Sequence, residues 1–589
     1  MRRSLFSQQT ARKIPGVGLL AVAFVFGLGI RVQAQDFEHI APKQPEKTGN
    51  GQVVDQTTKP LSAHNDQEVL VNRLQGVFIM SDPKQVRKEG VSSHRTVEPG
   101  NVAFAKNPDF ETAILPYIGK PVTMKALNQM TRSIVAYYRE HDRPVVNVYV
   151  PEQSISSGFV QIVVVESRVE KVDAIGAHWF SNALLRTEVH LRPGEPISGS
   201  QMRKDISWIN RNPFLQSDLL MAPGDIPGTT DLLLRTQDRF PVRFYTGYED
   251  SGNDLTGNDR ILAGFNYGNL FGLGQQISYQ FTTATDPHEF NAHAGTYIIP
   301  LPWQHQLTFF GSYSSTNADM GSSGLNSGGI NWQISARYEV PLPGTDHFTE
   351  SVIGGFDFKR SNNDLIFGGT SISNTFADTD QFVLGYQASY LDDYGSTSAS
   401  ATAYLSPGGL AGNNDDADYQ TQRGGAKADY TYGQFNLSRV TRLPMDFSWT
   451  MRGELQESNA NLLPSEELGL GGYATVRGYE EREANGDDGF LLSSEVAAPP
   501  VSIAQLCGVK EIKDQLQFLG FVDYGGTSLH QPTAADVNPN VNLLGIGPAL
   551  RYVITPYLSL RFDYGFQMLN TGFGDGEHSR GHIGVLVSY

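Results

Sequence analysis

Arg477, Asp523 and Glu495 stand in the most informative segments of this sequence, and the chemistry open to them is ion pairing rather than bond making. Arg477 sits in Val476-Arg477-Gly478-Tyr479, directly after the glycine-rich run Leu468-Gly469-Leu470-Gly471-Gly472-Tyr473-Ala474-Thr475. Asp523 sits in Phe521-Val522-Asp523-Tyr524-Gly525, within a segment that alternates apolar and polar residues. A strand there places Phe521, Asp523 and Gly525 on one face, and Leu516, Phe518, Val522 and Tyr524 on the other. The same alternation around Phe490 to Val496 turns Glu495 to the inner face, as a second acceptor. An arginine folded back onto such a carboxylate makes a charge-assisted pair that can be bidentate. Such a bond is worth about 1.5–3 kcal/mol, enough to bias a loop between two positions and too little to hold up a sheet.

Reactive constellations are missing. The sequence has no G-x-S-x-G, H-E-x-x-H or P-loop. Its thirteen histidines are scattered, and one cysteine, Cys507, excludes both a disulfide framework and a paired-cysteine metal site. The run Asn413-Asn414-Asp415-Asp416-Ala417-Asp418 lacks the remainder of a calcium loop and reads as solvated loop. The expectation is a chain that is not an enzyme and carries no cofactor or metal.

The elements that position these residues have a period of two. Ile330, Trp332, Ile334, Ala336, Tyr338 and Val340 alternate with Asn331, Gln333, Ser335, Arg337 and Glu339. Leu558, Leu560, Phe562, Tyr564, Phe566 and Met568 alternate with Ser559, Arg561, Asp563, Gly565 and Gln567. Large apolar faces backed by polar ones suit a barrel with lipid outside and water inside. From 241 to 589 the pattern divides into about 16 antiparallel strands. Tight connections at Leu270-Phe271-Gly272 and Thr555-Pro556 alternate with long ones at 406–424, 458–487 and 527–541. The turn at 499–512, which contains Cys507, is long on what should be the short side, and nothing in its sequence explains that. A net charge of −17 argues against nucleic acid.

Ahead of the barrel, residues 1–34 read as a signal peptide, with Arg2, Arg3, Arg12 and Lys13 before an apolar run and a small-residue site at Val32-Gln33-Ala34. No later stretch has the ~18–20 apolar residues of a spanning helix. Residues 35–67 are polar and read as a linker or a segment that plugs the pore. Residues 68–167 have the order β-α-α-β-β, with Met124, Leu127, Met130, Ile134 and Tyr138 on one helix stripe. The order repeats over 168–240.

The loop with Arg477 and the strand with Asp523 resemble the outer-membrane protein translocases: the haemolysin-activator type of two-partner secretion transporter and its relatives, the barrel-assembly insertases. The two α/β repeats resemble POTRA (polypeptide-transport-associated) domains. Gly158–Glu166 is similar to a closing POTRA strand, and Ile209–Phe214 and Pro223–Leu232 resemble the second POTRA domain of the secretion transporters. A count of two favours secretion over assembly. The resemblance implies a sixth extracellular loop folded into the lumen, with Val476, Arg477, Gly478 and Tyr479 locked against Phe521, Asp523, Gly525 and Glu495. It also implies a periplasmic POTRA pair that takes an unfolded exoprotein, such as a cytolysin or adhesin, for export through the barrel. The terminal Tyr589, where the family more often has Phe, resembles the signal that barrel-assembly machinery reads when it inserts a barrel into outer-membrane lipid. The rival readings are an assembly factor for other barrels, a passive porin and a soluble adhesin-like β protein.

Overall fold

In a computed structural model of the chain, residues 40–47, 51–56 and 68–589 are described, apart from 255, 320–324, 346, 368–369, 534–535, 537 and 573–576. The expected signal peptide lies outside the described residues.

The first α/β unit is built on the helix Met124–Glu140. Thr123 caps its N-terminus by accepting from the Ala126 N–H. Leu127, Met130, Ile134 and Tyr138 recur at helical spacing and pack on Val77, Ile79, Val160, Ile162 and Val164 of a four-stranded sheet. Met124, expected on this stripe, is exposed, and Tyr137 is buried in the same core instead. The helix stops at Asp142, whose φ of 64° is left-handed.

Asp142 also joins this unit to the next, accepting from the Ser198 hydroxyl and from the N–H and hydroxyl of Ser200. Burial pushes its carboxyl up, but the bonds from Ser198 and Ser200 and the charge of Arg143 outweigh it and hold the group below its usual range. In the second unit the helix Gly199–Ile209 buries Met202, Ile206 and Ile209 against Leu219, Met221, Leu232 and Leu234.

That unit is riveted to the barrel. Arg211 pairs with Glu339 at 2.7 Å, and the Asn212 amide donates to the carbonyls of Gly268 and Gly274. Phe214 lies so close to Gly268 that a Cβ there would come within 2.1 Å of its ring. The stretch singled out from Ile209 to Phe214 thus joins the second α/β unit to the barrel.

The barrel closes with sixteen antiparallel strands among the described residues, from Val242–Glu249 to Ser579–Ser588. The alternation read from the sequence holds: Ile330, Ile334 and Tyr338 are exposed on the outside, while Gln333, Ser335, Arg337 and Glu339 are buried inside. The seam pairs Tyr245–Glu249 with Gly584–Ser588, and reciprocal bonds between Phe244 and Tyr589 extend it.

Two parts of the polar stretch 35–67 are placed, and neither is loose in solvent. Residues 40–47 run inside the lumen. Ile40 is buried against Ala292, Ala294 and Phe310, and the backbone of Lys43 bonds Tyr245, Gln280, Arg243 and Asn266. The Lys43 ammonium pairs with Glu249 at 2.9 Å. Farther on, Val53–Asp55 adds a parallel strand to the second unit, against Leu219–Met221.

Candidate functional site

The sixth extracellular loop, residues 459–487, enters the lumen as a small hairpin whose arms are Leu468–Leu470 and Ala484–Gly486. Leu468, Leu470, Val476, Tyr479 and Ala484 pack on Leu491, Val541 and Leu543 of the wall. Apolar contact seats the loop, and the charges then fix its register.

Arg477 is 3% exposed and faces three carboxylates from three strands. Its Nε donates to one oxygen of Asp523 at 2.6 Å and its terminal nitrogen to the other at 2.8 Å, the bidentate fork expected. Its second terminal nitrogen pairs with Glu495 and, at 3.0 Å, with Asp563. The Arg477 backbone N–H also donates to Asp523. The guanidinium lies 3.6 Å from the centre of the Phe521 ring, so the aromatic face adds cation–π attraction.

The register explains why these residues converge. Glu495 stands opposite Phe521, and Ser493 stands opposite Asp523 and bonds it at 2.7 Å. On the other side Asp523 faces Gly545, where a Cβ would come within 2.0 Å of the Arg477 carbonyl oxygen. Gly525 makes room for Leu470, whose methyl would lie 2.7 Å from an added Cβ. Tyr479 is fully buried, and its hydroxyl donates to the Leu569 carbonyl at 2.8 Å and accepts from the N–H groups of Leu544 and Leu569.

Sequence reasoning missed Asp563. It was already on the inward face of the strand Leu558–Gln567, so the period of two held the signal. Asp563 also binds Arg551 and Arg561, at 2.7 and 2.6 Å. The cluster therefore balances its acids with a second tier of arginines.

Gly478 has a φ of 100°, and a Cβ on it would strike the Gly565 backbone at 2.8 Å. Gly478→Ala is expected to destabilise the seated loop by more than about 1 kcal/mol. The check is trypsin cleavage within 458–487 on intact cells, which should speed up several-fold. Gly354→Ala, where a Cβ meets nothing within 4 Å, should leave it unchanged.

A second attachment, also absent from the sequence reading, holds the stem of the loop to the facing wall. Glu466 and Lys359 pair at 2.8 Å with 0% and 2% of their side chains exposed, and Tyr432 and Gln381 donate to the same carboxylate. Arg423, from the fifth extracellular loop, makes a bidentate pair with Asp487 and contacts Glu467 at 2.9 Å. The acidic run before it is structural: Asp415 caps the helix Asp416–Gln422, and Asn414 bonds the Asp378 carbonyl. Loops five and six thus form one packed lid around Tyr419, Tyr430, Leu462 and Leu463.

The model of the haemolysin secretion/activation protein family ShlB/FhaC/HecB matches residues 228–552, and that of the ShlB-type POTRA domain matches 94–167. The chain is 22% identical to the heme/hemopexin transporter protein HuxB of Haemophilus influenzae (strain 86-028NP), over 74% of this chain and 76% of that one. It is 22% identical to the outer membrane transporter CdiB of Dickeya dadantii (strain 3937), over 64% and 67%. The solved structure of CdiB from Escherichia coli superposes with a TM-score of 0.73 at 16% identity, covering 91% of this chain and 93% of that one. The fold, its α/β pair and the family match agree: the chain belongs to the haemolysin secretion/activation protein family, as a POTRA-bearing β-barrel transporter of the outer membrane.

Proposed function

We propose that the chain exports one large exoprotein, or a few, unfolded through its lumen, and that Arg477 with Asp523, Glu495 and Asp563 is the lock that must change for the client to pass. The observation that carries this is the loop at 459–487: it lies in the lumen, and Arg477 holds it to the wall by side-chain pairs rather than by rungs of the wall's ladder. Such pairs can break and re-form while the barrel stays closed. HuxB is a heme/hemopexin transporter by name; for this chain a large secreted protein such as a cytolysin or adhesin suits as client.

The edge strands Val146–Tyr149 and Arg168–Ile175 of the POTRA domains offer backbone to an extended segment, which binds by adding a strand. Residues 40–47 share the lumen with the loop and have to leave with it. Tyr589, at the exposed end of the last strand, is the residue that assembly machinery would read during insertion.

Proteomes of the culture medium and of the outer membrane, compared with and without the gene, test this. Loss of one or two large exoproteins from the medium, with other barrels intact, is the expected result. A general fall in outer-membrane barrels would make the chain an assembly factor instead.

A further inference from the structure

The long periplasmic turn at 498–513 is a built element. Ser502 caps the short helix Ile503–Leu506, and Asp514 accepts from the Ser502 hydroxyl and from the N–H groups of Ile503 and Ala504. The helix ends in a Schellman motif: Val509 N–H bonds the Ala504 carbonyl, Gly508 N–H bonds Gln505, and Gly508 has a φ of 83°. Tyr552 on the neighbouring strand also donates to Asp514. Both ends of the helix are therefore fixed, and the turn holds its shape.

What this rigid turn presents is apolar. Val501, Ile503, Leu506, Val509 and Ile512 are all exposed, Leu506 by 77%. A fixed scaffold that keeps five aliphatic side chains in water is costly, at about 25 cal/mol per Å² of apolar surface left uncovered. Three features say what covers them. Val501 bridges to Leu516, so its side chain continues the outer row of Leu516, Phe518 and Val522 that faces lipid. The turns on either side expose Met445 and Tyr557, apolar tips at the same rim, as expected where a barrel meets the bilayer interface. Lys510 and Lys513 flank the patch, with Glu511 between them, and lysines suit the phosphates of anionic lipid.

We infer that this turn is a membrane foot: its apolar side lies in the periplasmic leaflet at the boundary of headgroups and acyl chains, bound to phospholipid. It anchors the barrel rim beside the strands that carry Glu495 and Asp523. Buried there, the patch meets the requirement for interfacial binding of apolar side chains backed by lysine.

Cys507 is exposed within the turn and is the single cysteine of the sequence, so the native chain can be spin-labelled there. The full-length protein is reconstituted in vesicles of phosphatidylethanolamine and phosphatidylglycerol, and the collision rates of the label with oxygen and with a water-soluble nickel chelate are compared. Oxygen should dominate by at least threefold, and Leu506→Asp should shift the ratio toward nickel. A nickel-dominated ratio in the unsubstituted protein, as for an aqueous loop, would overturn the inference and leave the patch to a periplasmic protein.

Discussion

Arg477→Ala is expected to give a transporter that inserts normally and exports its client at least ten times more slowly. The barrel does not need this side chain, since Arg477 contributes no rung to the ladder between Asp488–Ala497 and Asp514–Ser528. The lumen does need it. Without the guanidinium, Asp563 keeps Arg551 and Arg561, and Glu495 keeps Arg452 and Arg551 at 4.0 Å. Asp523 is the group stranded: it is fully buried, with the Ser493 hydroxyl as its remaining side-chain donor among the bonds described. Breaking a buried pair from one side costs about 3–5 kcal/mol, enough to unseat the hairpin. Arg477→Lys should fall between, because an ammonium restores charge without the bidentate fork. Insertion is read from heat-modifiable migration of the outer-membrane fraction, and export from client in the medium. Normal export by correctly inserted Arg477→Ala protein would reduce the cluster to a structural rivet.

Lys359→Met should also loosen the loop, raising the conductance and open time of the pore in planar lipid bilayers. Glu466 would keep Tyr432, Gln381 and the neighbouring Ser465 as donors, but no counter-charge in a site closed to water. The carboxylate then gains by leaving, and the stem of the loop swings off the wall formed by Phe348–Phe367. Conductance should rise at least twofold. Adding Glu466→Gln to Lys359→Met should close the pore again, because removing both charges deletes the penalty along with the pair. An unchanged trace from the single mutant would mean that apolar packing around Tyr430 and Leu462 suffices to hold the lid.

The two expectations separate what could be read from the sequence and what could not. Strand faces were legible because a period of two needs only neighbouring residues: Arg337 and Glu339 inside, Ile334 and Tyr338 outside. Arg477 and Asp523 were legible because they stand in the two short motifs that carry the family resemblance, and Glu495 because the period of two turns it to the inner face beside them. Asp563 was on the right face, but its pairing spans 86 residues, and local periodicity carries no information about which inward acid a loop meets. Lys359 and Glu466 lie farther apart still, and the loops that join them follow no period. The foot at 498–513 had its cap and stop written as Ser502 and Gly508, yet a four-residue helix is too short for a pattern to reveal.

The path of the chain before the first POTRA domain makes the pore a mechanical device. Lys47 still belongs to the stretch in the lumen, and Val53 is already zipped onto Leu219. Six residue steps separate them, a leash of about 20 Å when taut. Any pull that draws the lumen stretch farther than its slack peels Val53–Asp55 from the sheet and bares the edge of Leu215–Pro223. A pull on the lumen stretch would thus reach the second α/β unit, and clearing the channel would uncover a strand edge there.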